Sequence, residues 1–277
     1  MLVAACGERQ DRPYTGVAVT TAPHEMRQIL VTNDDGVEAD GLRALAKTLR
    51  TLGDVTVVAP AEEASAVSHA LTVRRPLQLR EVREAWYSVD GTPTDCVNVA
   101  ISEVMGRVPD LVVSGINNGL NVGDDVTYSG TVAGALEGVL LGAPALAVSL
   151  QRSSGSMDYT AAAQVARQLA ASVLDQGLPP RTLLNVNVPR RAHHGIRITV
   201  QARRTQAFGM HGPSGVEGQS LVWIRSAELD WEPDALSDYA TVLAGWVSVT
   251  PLHTDWTNHT ALDVVETLIV TTPPEVE

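Results

Sequence analysis

The segment Gln28-Ile29-Leu30-Val31-Thr32-Asn33-Asp34-Asp35-Gly36-Val37 runs from apolar residues straight into two adjacent carboxylates and a glycine. Ile29 to Thr32 is short, apolar and rich in β-branched residues, the pattern of a strand buried on both faces in a parallel sheet. The strand must stop where the charges begin. Two neighbouring aspartates repel each other, and at the end of a buried strand they need either water or a cation. Gly36 lets the backbone turn there. Taken alone, Asn33 to Gly36 also reads as an ordinary polar turn with Asp35 capping the next helix. The rest of the chain shifts that balance, because it supplies oxygen donors at the ends of other strands.

Leu42, Leu45, Ala46 and Leu49 recur at helical spacing through residues 41–52, and Gly53 stops that helix. Asp54 to Ala59 is a second buried strand, ended by Pro60. Strand, helix and strand in so few residues form a βαβ unit with a right-handed crossover. The next segment, 61–72, is small and polar, with Ser65, Ser68 and His69 among alanines. Trp86 to Val89 reads as a short strand, Thr94 as the cap of a helix over 95–105, and Asp110 to Ser114 as another buried strand. That strand leaves through a glycine- and asparagine-rich loop, 115–125, of the kind that carries a task. Residues 132–141 form a helix of small residues, 143–150 a strand, 158–175 an alanine-rich helix ended by Gly177, and 183–189 an alternating strand.

This alternation predicts an α/β fold, a three-layer, doubly wound, mostly parallel sheet of Rossmann-like type. Beyond Gly195 the grammar changes. Residues 196–202, a glycine-rich loop over 208–218 and residues 220–225 read as a β-hairpin extension, followed by a returning strand at 246–250 and a closing helix at 260–269. The chain therefore divides into a disordered tail or misassigned start (1–26), a catalytic core (27–195) and a C-terminal extension (196–277).

The charge balance narrows the function. A net charge of -12 argues against coating a nucleic-acid polymer, which needs clustered Lys and Arg. An anionic small substrate would have to be drawn in locally, by a metal ion or by helix N-termini. Cys6 and Cys96 make neither a disulfide framework nor a zinc site, which points to a reducing compartment, the cytoplasm. No apolar run approaches the length of about eighteen residues that a membrane helix needs.

In open α/β sheets ligands sit beyond the carboxyl ends of the strands. Asp34 and Asp35, Ser65 and Asn117 follow three different predicted strands. Carboxylates, a hydroxyl and an amide without Cys or His select a hard cation such as Mg²⁺ or Mn²⁺. Ser129-Gly130-Thr131 precedes the small-residue helix and suits either a phosphate at the helix N-terminus or a plain serine cap. Gly36 stands where a haloacid-dehalogenase phosphatase needs its second aspartate, and no Gly-Lys-Ser/Thr closes a phosphate loop. His69, His193, His194, His211 and His253 are scattered, and Asp238 and Tyr239 read as surface residues.

Asn33-Asp34-Asp35-Gly36-Val37, Ala59-Pro60 with Ser65, Gly91-Thr92-Pro93-Thr94-Asp95-Cys96-Val97, Val113-Ser114-Gly115-Ile116-Asn117-Asn118-Gly119, Gly123-Asp124-Asp125 and Tyr128-Ser129-Gly130-Thr131-Val132 occur in this order. Together they resemble the SurE family of survival-protein nucleotidases, over a span reaching Thr250-Pro251-Leu252-His253-Thr254-Asp255. The resemblance implies a metal-dependent 5′-nucleotidase for nucleoside monophosphates, in some members also for 3′-nucleotides and short polyphosphate. It implies one divalent cation per subunit, Mg²⁺ or Mn²⁺, on Asp34, Asp35, Ser65 and Asn117, and phosphate near Asn121, Ser129, Gly130 and Thr131. Asp34 or Asp35 would be the catalytic carboxylate that orients or deprotonates a water. The resemblance further implies homodimers or homotetramers built by exchanging the C-terminal hairpin and helix. Ala64-Ser65-Ala66 departs from the pattern, since many members follow that serine with glycine. Two rival readings are a nucleotide-binding regulatory protein without turnover and a hydrolase with Asp34 as covalent nucleophile.

Overall fold

A computed structural model describes residues 26–152, 155–191, 194–205, 209–211, 223–225 and 231–269; the leading tail and most of the glycine-rich loop over 208–218 lie outside them. The strands are β1 (Gln28–Thr32), β2 (Asp54–Pro60), β3 (Leu79–Arg83), β4 (Trp86–Val89), β5 (Leu111–Asn118), β6 (Ala145–Leu150), β7 (Thr182–Val188), β8 (Ile196–Ile198), β9 (Gly209–His211), β10 (Trp223–Arg225) and β11 (Val247–His253). Nine of them form one sheet in the order β3-β4-β2-β1-β5-β6-β7-β11-β8, while β9 and β10 pair as an antiparallel hairpin. From β4 to β7 every neighbouring pair is parallel. The outer strands are mixed: β3 lies antiparallel on β4, β11 antiparallel on β7, and β8 parallel to β11. The strand order reverses between β1 and β5. The crevice at the carboxyl ends of those two strands is therefore the expected ligand position.

Helices cover both faces. α1 (Asp40–Leu49) packs with α4 (Thr160–Gln176) on one side, and α2 (Pro93–Val99) with α3 (Gly130–Leu140) on the other. β1 feeds both layers: Ile29 and Val31 belong to the first core, Leu30 to the second. That two-sided burial is why the segment is apolar without alternation. The small residues of α3 also have a reason. A Cβ on Gly138 would lie 2.8 Å from Val112, and one on Gly134 would lie 3.0 Å from both Thr32 and Ser114. The helix thus rests directly on β1 and β5, which brings its first turn to the end of β1. The C-terminal part adds α5 (Asp238–Leu243), β11 and α6 (Leu262–Ile269).

Four sequence expectations are corrected. α2 begins at Pro93 and is capped by Thr92, not Thr94: the Thr92 hydroxyl accepts from Asp95 N–H while the Asp95 carboxylate accepts from Thr92 N–H. Thr94 is buried inside the first turn, as the capping box with proline at N1 requires. Beyond Val99 the helix widens into a π-helical turn over Ala100–Met105. Residues 115–118 are strand rather than loop, because β5 keeps pairing with β6 across a bulge, through a cis Gly115–Ile116 peptide. The strand expected over 196–202 ends at Ile198, followed by a single bridge between Val200 and Ser237. The edge strand β3 had no sequence signal because all five of its residues are exposed and three are charged.

Candidate active site

Asp34 follows the last paired residues of β1 and is only 5% exposed. The Thr131 hydroxyl, in the first turn of α3, donates to Asp34 Oδ1 at 2.5 Å. A Cβ on Gly130 would stand 2.8 Å from Asp34 Cβ and 3.0 Å from its Oδ2. What approaches Gly130 closely is therefore a carboxylate of the protein itself, set against the positive end of the helix. Burial pushes the Asp34 carboxyl up to about 6; the bond from Thr131 opposes this and the charge on Asp35 adds to it. Asp35 is half-buried and accepts Asn118 N–H on Oδ2 at 3.2 Å. Burial raises its carboxyl as well, opposed by the Asn118 bond, reinforced by Glu63 and opposed again by Arg152.

Asn117 lies next to that bond, at the end of β5. Its Nδ2 donates to Gly119 C=O at 2.9 Å, which leaves the amide oxygen as the group it can offer a cation. Ser65 is exposed and donates from Oγ to Glu63 Oε1 at 2.7 Å. Its segment is fastened at both ends. On one side Ala64 N–H donates to Asp34 C=O at 2.8 Å. On the other, Ser68 Oγ bonds Thr127 C=O at 2.7 Å, His69 Nε2 bonds Glu137 at 2.6 Å, Thr92 Oγ1 donates to Ala70 C=O at 2.7 Å, and Thr72 N–H donates to Asp95 at 2.9 Å. The Gly-Thr-Pro-Thr-Asp motif thus holds down the loop that carries Ser65. Between these anchors Ala66 has a φ of 56°, the left-handed region that glycine enters without cost.

The expected phosphate group is spread more widely. Ser129 caps α3, accepting from Val132 N–H at 3.0 Å. Asn121 is buried and engaged elsewhere: its Nδ2 donates to Ser149 Oγ at 2.8 Å and its backbone is clasped by Asn185 and Asn187 of β7. Among the described hydrogen bonds none joins Asn121 to Asp34, Asp35, Ser129 or Thr131.

Sequence reasoning named Thr131 for the phosphate but not for its hydroxyl's bond to Asp34, and it missed Glu63 and Arg152, since a lone Glu or Arg in a loop carries no periodic signal. It misjudged Asp238, which is fully buried and accepts N–H bonds from Gly123 at 2.9 Å, Ala202 at 3.0 Å and Tyr239 at 2.7 Å. Tyr239 stacks on Trp231 with ring centroids 4.9 Å apart. Neither is a free surface residue: Asp238 ties the 123–125 turn to the C-terminal extension.

The donors fit a hard cation. Among the described residues no group of three or more His, Cys, Asp or Glu could hold a metal, so a cation here must take hydroxyl and amide oxygens beside the two aspartates. A buried carboxyl raised to about 6, with another carboxylate beside it, is a group that a cation would relieve.

The family model described as Survival protein SurE matches residues 29–207. The chain belongs to the SurE family. It is 49% identical over 243 residues to the 5′-nucleotidase SurE of Geobacter metallireducens, covering 87% of this chain and 96% of that protein. It is 48% identical over 244 residues to the 5′-nucleotidase SurE of Pelobacter propionicus, covering 87% and 99%. The crystal structure of the SurE protein from Aquifex aeolicus superposes with a TM-score of 0.79 at 40% identity, over 87% of this chain and 99% of that one. The SurE fold and the order of its motifs therefore extend over most of this chain.

Proposed function

We propose that this chain is a 5′-nucleotidase, a metal-dependent phosphomonoesterase of nucleoside 5′-monophosphates that extends to 3′-nucleotides and short polyphosphate. The observation that carries the reading is Asp34, a buried carboxylate at the strand-order reversal, paired with Asp35, in a chain 49% identical to a 5′-nucleotidase SurE. Asp34, Asp35, Ser65 and Asn117 would hold one Mg²⁺ or Mn²⁺ ion. When bound, such an ion places positive charge against the phosphoryl oxygens and acidifies a water.

The chain's own residues do the rest. Asp34 has Oδ1 engaged by Thr131, so it serves as a fixed ligand. Asp35, half-buried and held by a single backbone N–H, is the carboxylate with freedom to orient the attacking water and take its proton. The first turn of α3, at Gly130 and Thr131, contributes its dipole to the phosphate oxygens, with Ser129 fixing the start of the helix and Asn121 fixing the loop before it.

The catalytic core is assigned to residues 27–195 and subunit assembly to residues 196–277. Trp256, Leu262, Val264, Val265 and Leu268 are exposed along the C-terminal arm, which supports a homodimer or homotetramer that covers them. No helix of the described residues is long and apolar enough to cross a membrane. We assign the protein to the cytoplasm, with nucleoside monophosphates and no nucleic-acid polymer as partners.

Release of phosphate from AMP or GMP with Mn²⁺ or Mg²⁺, abolished by EDTA and restored by metal, is the expected result. Nucleotide binding without phosphate release under any divalent metal would instead support a regulatory protein.

A further inference from the structure

The candidate site is crowded with negative charge. Asp34 and Asp35 are neighbours, Glu63 is close enough to act on Asp35, and on the nucleotidase reading a phosphate dianion must approach them in a chain that is itself strongly acidic. A metal ion bound by the aspartates offsets their charge but leaves little to attract a second dianion. A fixed cation beside the metal ligands would supply it.

Arg152, just past the end of β6, occupies such a position. Its Nε and Nη2 both donate to Asn118 C=O, at 3.2 and 2.9 Å. The same residue gives its N–H to Asp35. Arg152 and Asp35 therefore grip the backbone groups of Asn118, one residue after the Asn117 ligand. On the next residue, the point where a Gly119 Cβ would sit is 3.8 Å from Arg152 Nη2 and 3.8 Å from Asn117 Nδ2. Gly119 has a φ of 145°, a conformation that disfavours any side chain, so no Cβ stands between the guanidinium and the Asn117 amide.

The side chain is exposed, and it forms no ion pair with any described carboxylate. One edge is pinned by the carbonyl and the other is unspent. A guanidinium fixed in this way loses little freedom when its free edge meets two phosphate oxygens. Its positive field already reaches Asp35 and Tyr159.

We propose that Arg152 is a substrate-binding residue, contacting the phosphate group from the side of Asn118 and Gly119 and steering anionic substrates into the acidic site. The inference rests on the nucleotidase reading above. It also predicts opposite effects on the two ligands, since the same charge that attracts phosphate repels a divalent metal.

The test is Arg152→Gln and Arg152→Lys, with two titrations: Mn²⁺ into the metal-free protein, and inorganic phosphate or AMP into the Mn²⁺-loaded protein, alongside AMP hydrolysis. Arg152→Gln should weaken phosphate binding and raise KM for AMP about tenfold, flatten the fall of kcat/KM with salt, and leave Mn²⁺ affinity unchanged or a few-fold tighter. Arg152→Lys should recover part of the loss. Unchanged phosphate affinity overturns the proposal. So does a parallel loss of Mn²⁺ and phosphate binding, because a residue that only props Asn118 would loosen Asn117 and disturb both. If the wild type binds phosphate but does not hydrolyse AMP, the nucleotidase reading fails while the phosphate titration still decides the role of Arg152.

Discussion

The Thr131 hydroxyl donates to Asp34 Oδ1 at 2.5 Å, joining the first turn of α3 to the end of β1. Gly130 makes the approach possible, since any side chain there would collide with the aspartate. Burial raises the Asp34 carboxyl to about 6, and the bond from the first turn of α3 favours its ionised form against that cost.

Thr131→Val keeps the shape and removes the donor. The Asp34 carboxyl should then rise above its present value of about 6, so that a metal must displace a proton at neutral pH. A rise of one unit would cut the ionised fraction at pH 7 from roughly nine-tenths to roughly half, so Mn²⁺ affinity at pH 7 should fall about twofold. Thr131→Ser should keep most of it. Calorimetric titration at pH 7 and pH 8 checks this, because the deficit should shrink at the higher pH.

Asp34 also predicts a pH dependence of the metal-free fold. Its folded value of about 6 lies above the ordinary 3.8, so between these values the folded chain holds a proton that the unfolded chain has released. Stability from this group is greatest below pH 4 and is lost as pH climbs toward 7, by roughly 3 kcal/mol. Asp34→Asn should remove that decline and raise the melting temperature at pH 7 without metal. Thermal melts in EDTA across pH 4.5–7.5, compared with wild type, measure it.

Ala66 sits at a φ of 56° in the loop that carries Ser65. Glycine adopts this conformation freely, and an L-residue pays about 1 kcal/mol. Ala66→Gly should therefore stabilise the fold slightly or leave it level, after the unfolded chain's added freedom is counted. A clear drop in melting temperature would mean that the alanine methyl packs favourably.

His69 and Asn98 both bond Glu137, each at 2.6 Å, and the carboxylate is buried. His69→Leu leaves a buried carboxylate with one partner and should cost about 2 kcal/mol. It also frees one anchor of the Ser65 segment, so Mn²⁺ affinity should drop further than in a surface control. Urea unfolding and metal titration on the same variant separate the two effects.

Much of this was legible in the chain. The uninterrupted apolar run of β1 is what two-sided burial demands, and the βαβ grammar through Val188 follows from it. Asp34 announced itself because charge directly after a buried strand has few explanations. Contacts between residues far apart in sequence were not legible. Nothing local to Asp238 signals that Gly123 and Ala202 donate to it, and nothing local to Arg152 signals Asn118. The cap of α2 was misplaced because Thr92 and Thr94 are both good caps, and only the proline between them decides. β5 outran its expected end because glycine and asparagine, which favour loops, here pair along β6 to Asn118.

If Asp34, Asp35, Ser65 and Asn117 share one hard cation, Mn²⁺ titration of the metal-free wild type beside Asp34→Asn and Ser65→Ala will show it. The wild type should bind one Mn²⁺ per chain, Asp34→Asn should lose that binding while remaining folded, and Ser65→Ala should weaken it. Stoichiometric Mn²⁺ binding of undiminished affinity in Asp34→Asn would rule out a cation held by that aspartate.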